Sequence, residues 1–166
     1  PLGDPAFESD ELQSYEGGLK ATTSDRRYSA DIALYLINWD NMQVGAARNG
    51  IGVVANAGTA RSTGAEFTLT ALPIPELTLL GTFAWTHAKL TEDAPDLGGR
   101  DGDPLPDTPD LAFTVSGDYS FGVLEHTGTV GALLRYVGDR VSGFDESAGS
   151  PQYRLPEYTT IDLRGS

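Results

Sequence analysis

Hydrophobic and polar positions alternate along most of the chain. From Leu77 to Thr86, one parity reads Leu77, Leu79, Gly81, Phe83 and Trp85, and the other reads Thr78, Leu80, Thr82, Ala84 and Thr86. Tyr28, Ala30, Ile32, Leu34 and Leu36 likewise share a face. Ala65, Phe67, Leu69 and Ala71 oppose Glu66, Thr68 and Thr70. Leu111, Phe113, Val115, Gly117, Tyr119 and Phe121 oppose Ala112, Thr114, Ser116, Asp118 and Ser120. Val130, Ala132, Leu134 and Tyr136 oppose Thr129, Gly131, Leu133 and Arg135. A period of two is the pattern of strands with one apolar and one polar face. The clearest helix-period stretch, Asp31 to Leu36, lies inside an alternating run and has no capping box.

The pattern predicts seven strands, over about residues 11–21, 27–41, 50–72, 76–90, 110–121 and 127–141, with a last one from Glu157. Gly58 and Gly64 are expected to bend or bulge the long third strand. The connections alternate in length. Short turns fall around Thr22 to Arg26, Pro73 to Pro75 and Gly122 to His126, and longer links around Gln43 to Asn49, Thr91 to Pro109 and Ser142 to Pro156. If neighbours in sequence pair, every short turn falls at one end and every long loop at the other.

That asymmetry, with strands near the ~9–11 residues a spanning strand needs, fits an outer-membrane β-barrel. Aromatics gather near strand ends: Tyr28, Tyr119 and Phe121 at the short turns, and Trp39, Trp85 and Tyr136 toward the long loops. A soluble all-β binding module, in which the same aromatics form a core, also fits the periodicity. The two differ in whether the apolar parity is buried face to face.

Composition narrows the field. The 166 residues carry a net charge of −13, which argues against nucleic acid as a partner because phosphates would be repelled. There is no cysteine, so neither a disulfide framework nor a thiolate metal site is available. The mean hydropathy of −0.24 suits both readings, since only alternate barrel residues face lipid. No apolar run approaches the ~20 residues of a transmembrane helix. The opening PLGDPAF and the closing TTIDLRGS read as a piece cut from a longer chain.

Several stretches resemble one family in order. ELQSYEGGLKA is similar to a strand with YE-x-G-x-K in TonB-dependent outer-membrane receptors. IALYLINWDNMQV and ANAGTARSTGAEFTLTALP resemble its paired segments W-x-x-x-Q and NAG-x-A-x-x-x-G-x-E. DGDPLPDTPDLAFTVSGDYSF resembles its DG-x-x-LP-x-x-P loop followed by DY-x-F, and LLRYVGDR and LPEYTTIDLRG fit its closing strands. The resemblance implies an all-β fold: an antiparallel up-and-down meander of about seven strands, part of a barrel of about 22 strands closed by a plug. It also implies a bacterial outer-membrane location and uptake of a scarce bulky nutrient such as a ferric siderophore or other metal chelate, cobalamin or a glycan. Energy would come from the TonB complex, acting on a plug domain that residues 1–166 lack. Outer-membrane lipid would be the surrounding partner. No cofactor is implied, and no position matches the energy-coupling residues of the family.

Against this background the individual residues are weighed. Arg100, Asp101 and Asp103 either touch substrate at the barrel mouth or serve local turn chemistry around Asp101-Gly102. Arg135, on the polar parity, is expected in the lumen, because a mid-membrane arginine facing lipid costs ~2–4 kcal/mol. Its expected partner is Asp118 or Glu66, with substrate contact as the second role. The acidic run Asp93, Asp96, Asp101, Asp103, Asp107 and Asp110 lacks the EF-hand spacing and reads as a solvated loop rather than a calcium site. His87 and His126 fall at opposite strand ends, and no nucleophile–base motif occurs, so no catalytic residue and no enzyme activity are expected.

Overall fold

The computed structural model describes residues 9–48, 51–56, 58–95, 98–144 and 152–166. Alternation of this length cannot bury itself within a single strand, so the strands pair edge to edge. Seven of them form one antiparallel sheet, each beside its neighbour in the sequence: β1 (Glu11–Thr22), β2 (Tyr28–Asp40), β5 (Ala60–Ile74), β6 (Leu77–Leu90), β7 (Leu111–Val123), β8 (His126–Val137) and β11 (Tyr158–Gly165). Two small hairpins interrupt the long connections. β3 (Gln43–Arg48) pairs with β4 (Ile51–Asn56) between β2 and β5, and β9 (Arg140–Val141) pairs with β10 (Arg154–Leu155) between β8 and β11.

The expected third strand is therefore two elements. Gly58, at φ 64°, breaks the chain between β4 and β5, and the Gln43-to-Asn49 loop contributes β3. No bulge occurs at Gly64; the register of β5 on β6 shifts only between Ala71 and Ile74. The expected sixth strand stops at Val137, and Arg140–Val141 turns away to form its own hairpin. The cause is the same in both places. A membrane-width strand ends where the loops begin, and alternation continuing past that point pairs locally.

The register aligns apolar positions into rows across the sheet. Leu19, Ile32, Phe67, Phe83, Phe113 and Tyr136 stand directly opposite one another on successive strands. Ala30, Leu69, Gly81, Val115, Leu134 and Ile161 form a second such row. These side chains are not covered: Leu34 is 60 % exposed, Val115 51 % and Trp85 47 %. Phe113 and Tyr136 stack at 5.1 Å between ring centroids, and Tyr119 and Phe121 at 6.3 Å. A continuous bare apolar face of this kind has a lipid environment as its natural cover.

The buried core lies at the long-loop end instead. Met42, Ala60, Leu90 and Ala94 are buried together, with Trp39, Leu105 and Phe144 packed against them. Three separate outer connections thus meet in one apolar knot. Gly99 is part of the fit, since a Cβ there would lie 2.5 Å from Leu90 Cδ1 and 3.2 Å from the Phe144 ring. Trp39 belongs to this knot and not to a lipid-facing girdle. Its position on β2 is opposite Ala60, and its indole Nε1 donates to Asp10 at 2.9 Å. Trp85 and Tyr136 keep the girdle parity, and the Tyr136 hydroxyl donates to Glu157 at 2.6 Å.

The opposite end is closed by tight turns. In the β1–β2 turn, Thr23 Oγ1 donates to Asp25 at 2.6 Å and the Arg27 amide at 3.1 Å, which together hold the Asp25 carboxyl below its usual range. The Arg27 guanidinium donates to the Leu72 carbonyl at 3.0 Å and also to that of Pro73, tying the first short turn to the second.

Candidate functional site: the polar wall and its outer rim

Polar positions form rows of their own. Lys20, Asp31, Thr68, Thr82, Thr114, Arg135 and Thr160 are successive register partners across all seven strands. The next polar-face row toward the loops is Gly18, Ala33, Glu66, Ala84, Ala112, Val137 and Tyr158. Between these rows runs the backbone of the aromatic row, whose side chains point the other way. Glu66, Ala84, Ala112 and Val137 on one side, Thr68, Thr82, Thr114 and Arg135 on the other, and Phe67, Phe83, Phe113 and Tyr136 between them line a trough of about 520 Å³. The trough forms because alanines and threonines leave the wall low between a carboxylate and a guanidinium.

Charges on this face are partly matched. Lys20 Nζ lies 2.6 Å from Asp31 Oδ2, directly across β1 and β2. Arg164 on β11 reaches over β8 to Asp118 on β7, with Nε donating to Oδ1 at 2.8 Å. Gly131 makes that reach possible. It lies opposite both residues, and a Cβ there would sit 2.8 Å from Arg164 Nε.

Arg135 therefore faces the polar side as expected, but its partner is not Asp118. Asp118 shares a row with Gly131 and Arg164, whereas Arg135 lies four residues along β8, about 13 Å away at strand rise. Glu66 lies three strands from Arg135, across the trough, which at ~4.8 Å per strand is beyond ion-pair range. Among the described residues Arg135 makes no ion pair. Arg164 went unrecognised in the sequence as the real partner. Its signal was its place on the polar parity of the closing strand.

At the rim, the loop after β6 runs back along its own strand. Leu90 donates to the Asp103 carbonyl at 2.9 Å, Gly102 to Leu90 at 3.0 Å and Leu105 to Ala88 at 3.0 Å. The Arg100 amide donates to the Asp103 carboxylate at 2.8 Å, and the Asp101 amide to Asp93 at 2.9 Å. Gly102, at φ 90°, takes the left-handed position of the turn. So the carboxylates of Asp93 and Asp103 build the turn, while the Arg100 and Asp101 side chains stay exposed at its tip. Among the described residues no His, Asp and Glu cluster could hold a metal ion, and Asp96 lies outside them.

Above the trough, Tyr35 lies over Gly64, and its hydroxyl pairs with Thr86 Oγ1 at 2.9 Å. A Cβ on Gly64 would strike the Tyr35 ring and come within 2.6 Å of the Trp85 carbonyl. Gly64→Val is expected to cost ~1–3 kcal/mol by overpacking. Denaturant unfolding in detergent micelles, followed by tryptophan fluorescence, checks this; an unchanged midpoint would refute the assigned role.

A membrane-width antiparallel meander, bare and apolar on one face and polar on the other, defines a segment of a transmembrane β-barrel wall. The comparisons with known proteins agree. The family described as "TonB dependent receptor-like, beta-barrel" matches residues 1–166, and the chain belongs to it. It is 31% identical over 160 residues to the metal-pseudopaline receptor CntO of Pseudomonas aeruginosa, covering 95% of this chain and 21% of that one. It is 29% identical over 153 residues to the probable TonB-dependent receptor BfrD of Bordetella pertussis, covering 90% and 20%. The fold matches the ferric yersiniabactin uptake receptor FyuA of Yersinia pestis with a TM-score of 0.75 at 17% identity, over 94% of this chain and 22% of that one. It matches the ferric-catecholate import receptor Fiu of E. coli K12 with a TM-score of 0.70 at 25% identity, over 95% and 21%. The chain thus spans about a fifth of the length of its relatives. The family is one of outer-membrane receptors.

Proposed function

We propose that this chain forms part of the barrel wall of a bacterial outer-membrane receptor for TonB-dependent uptake of a metal chelate. The observation that carries the reading is the two-faced sheet: bare apolar rows on one face and, on the other, polar rows that hold Glu66 and Arg135. The relatives support the substrate class, being named for metal-pseudopaline, ferric yersiniabactin and ferric catecholate. Energy reaches the receptor from the TonB complex through a plug domain elsewhere in the parent chain. Arg100 and Asp101 at the tip of the held turn, Asp103 as its clasp, and Arg135 in the trough are the substrate-contact residues of this segment. A guanidinium suits the carboxylate, catecholate or hydroxamate oxygens of a chelator.

The test is uptake of radiolabelled ferric and other metal chelates by cells that carry the full receptor as their only such importer. Uptake that disappears without TonB supports the reading, whereas uptake independent of TonB refutes it. Arg135→Ala, at unchanged surface abundance, is expected to raise the KM for uptake about tenfold, the loss of one charge-assisted hydrogen bond. An unchanged KM removes Arg135 from the substrate path.

A further inference from the structure

The outward face carries a second site, set above the apolar rows. Ala60 and Leu90 are buried in the outer knot, at 3 % and 0 % exposure, and Ala88, on the same face as Leu90, is buried at 7 %. Alternation therefore turns Arg61 and Lys89 to the opposite side, the side that bears Trp85 and Phe83. Arg61 and Lys89 are direct register partners on β5 and β6. Like charges placed opposite each other destabilise a sheet. Among the described residues this is the one cation–cation pair in the register, and neither member makes an ion pair. Arg61 Nε donates to Asn38 Oδ1 at 2.9 Å, which aims the guanidinium and leaves the rest of its donors exposed. The nearest same-face carboxylates on β1 and β2, Glu11 and Asp40, oppose each other two register pairs beyond Asn38 and form no bridge to either cation.

The height of the pair is informative. Lys89 lies four residues beyond Trp85 along β6, about 13 Å at strand rise and less along the membrane normal once the strand tilts. With Trp85 at the hydrocarbon boundary, Lys89 and Arg61 stand at the level of the headgroups, and their long stems can lean toward it. A chain of net charge −13 thus places two adjacent unmatched cations where outer-leaflet phosphates lie, directly above a surface suited to acyl chains.

We propose that Arg61 and Lys89, oriented by Asn38, form a binding site for the phosphate of an outer-leaflet lipid whose acyl chains lie along Trp85 and Phe83. The anion removes the repulsion between the two cations, and the apolar rows supply the rest of the contact. The site rests on the membrane reading above.

The test uses the full receptor in detergent micelles, titrated with diphosphoryl lipid A and with the same lipid stripped of phosphate, and read by native mass spectrometry. Arg61→Gln with Lys89→Gln is expected to weaken retention of the phosphorylated lipid about tenfold or more, with no effect on the stripped lipid. Arg61→Lys with Lys89→Arg, which keeps both charges, is expected to restore most of the difference. Equal retention by wild type and the Gln pair overturns the proposal. Displacement of the lipid by millimolar inorganic phosphate alone overturns the lipid as occupant and leaves a soluble-anion site. A receptor that neither enters micelles nor shifts mobility on heating overturns the membrane reading itself, and is recognised before any lipid is added.

Discussion

Val115→Arg is expected to cost ~2–4 kcal/mol of barrel stability, while Thr82→Arg, on the neighbouring row, costs less than about 1. Val115 is 51 % exposed and pairs with Gly81 in the centre of the apolar face. On β7 it lies four residues from Leu111, which pairs with Trp85, and four residues from Tyr119. It therefore stands midway between the two aromatic levels, where a cation has the furthest to reach for water. Thr82 adjoins Gly81 in sequence, but its side chain enters the trough, where a charge stays hydrated. Denaturant titration of both variants in phospholipid vesicles gives the comparison. Equal costs for the two would mean that the faces have been assigned wrongly.

Leu90→Ala is expected to cost ~2–5 kcal/mol, and to act on the rim rather than on the sheet. Leu90 is fully buried, and its carbonyl and amide hold Gly102 and Asp103 of the turn at the rim. Removing the side chain opens a cavity among Ala60 of β5 and Met42, Ala94 and Phe144, which come from three different connections. Hydrogen exchange reads this directly. Protection of the Leu90, Gly102 and Leu105 amides should fall roughly thirtyfold or more, with that of β7 unchanged. Protease cleavage within the 91–110 loop should rise in parallel. Loss of protection across the whole sheet would show that the knot supports the wall itself and is no local clasp.

How far the fold was legible depended on whether a feature was local. Strand identity was plain because alternation is a property of consecutive residues, and five of the seven sheet strands lie close to their expected bounds. The errors fell at the loop ends. A strand from Gly50 through Leu72 looked continuous because β4 and β5 both alternate, and nothing local marks which strand each pairs with. Trp39 was read as interfacial because it ends a strand, yet its parity and the loops folded over it bring it into the knot. The place of Arg135 on the polar face was legible for the same reason that the strands were. Its partner was not. Asp118 and Arg164 are 46 residues apart in sequence, and only a register running through Gly131 brings them together.

By itself, then, the sequence determined the strand pattern, the two faces of the sheet, the end at which the loops gather, and the family. The strand pattern and the two faces follow from residue order because the side-chain period of a strand is a local constraint, the loop end follows from the alternating lengths of the connections, and the family follows from the resemblance of an ordered set of short motifs. The tertiary structure decided which charges meet, where the small core lies, and that Arg61 and Lys89 stand side by side. Those depend on the register between strands, which is set by every pairing at once, and one slipped residue would turn each side chain to the opposite face.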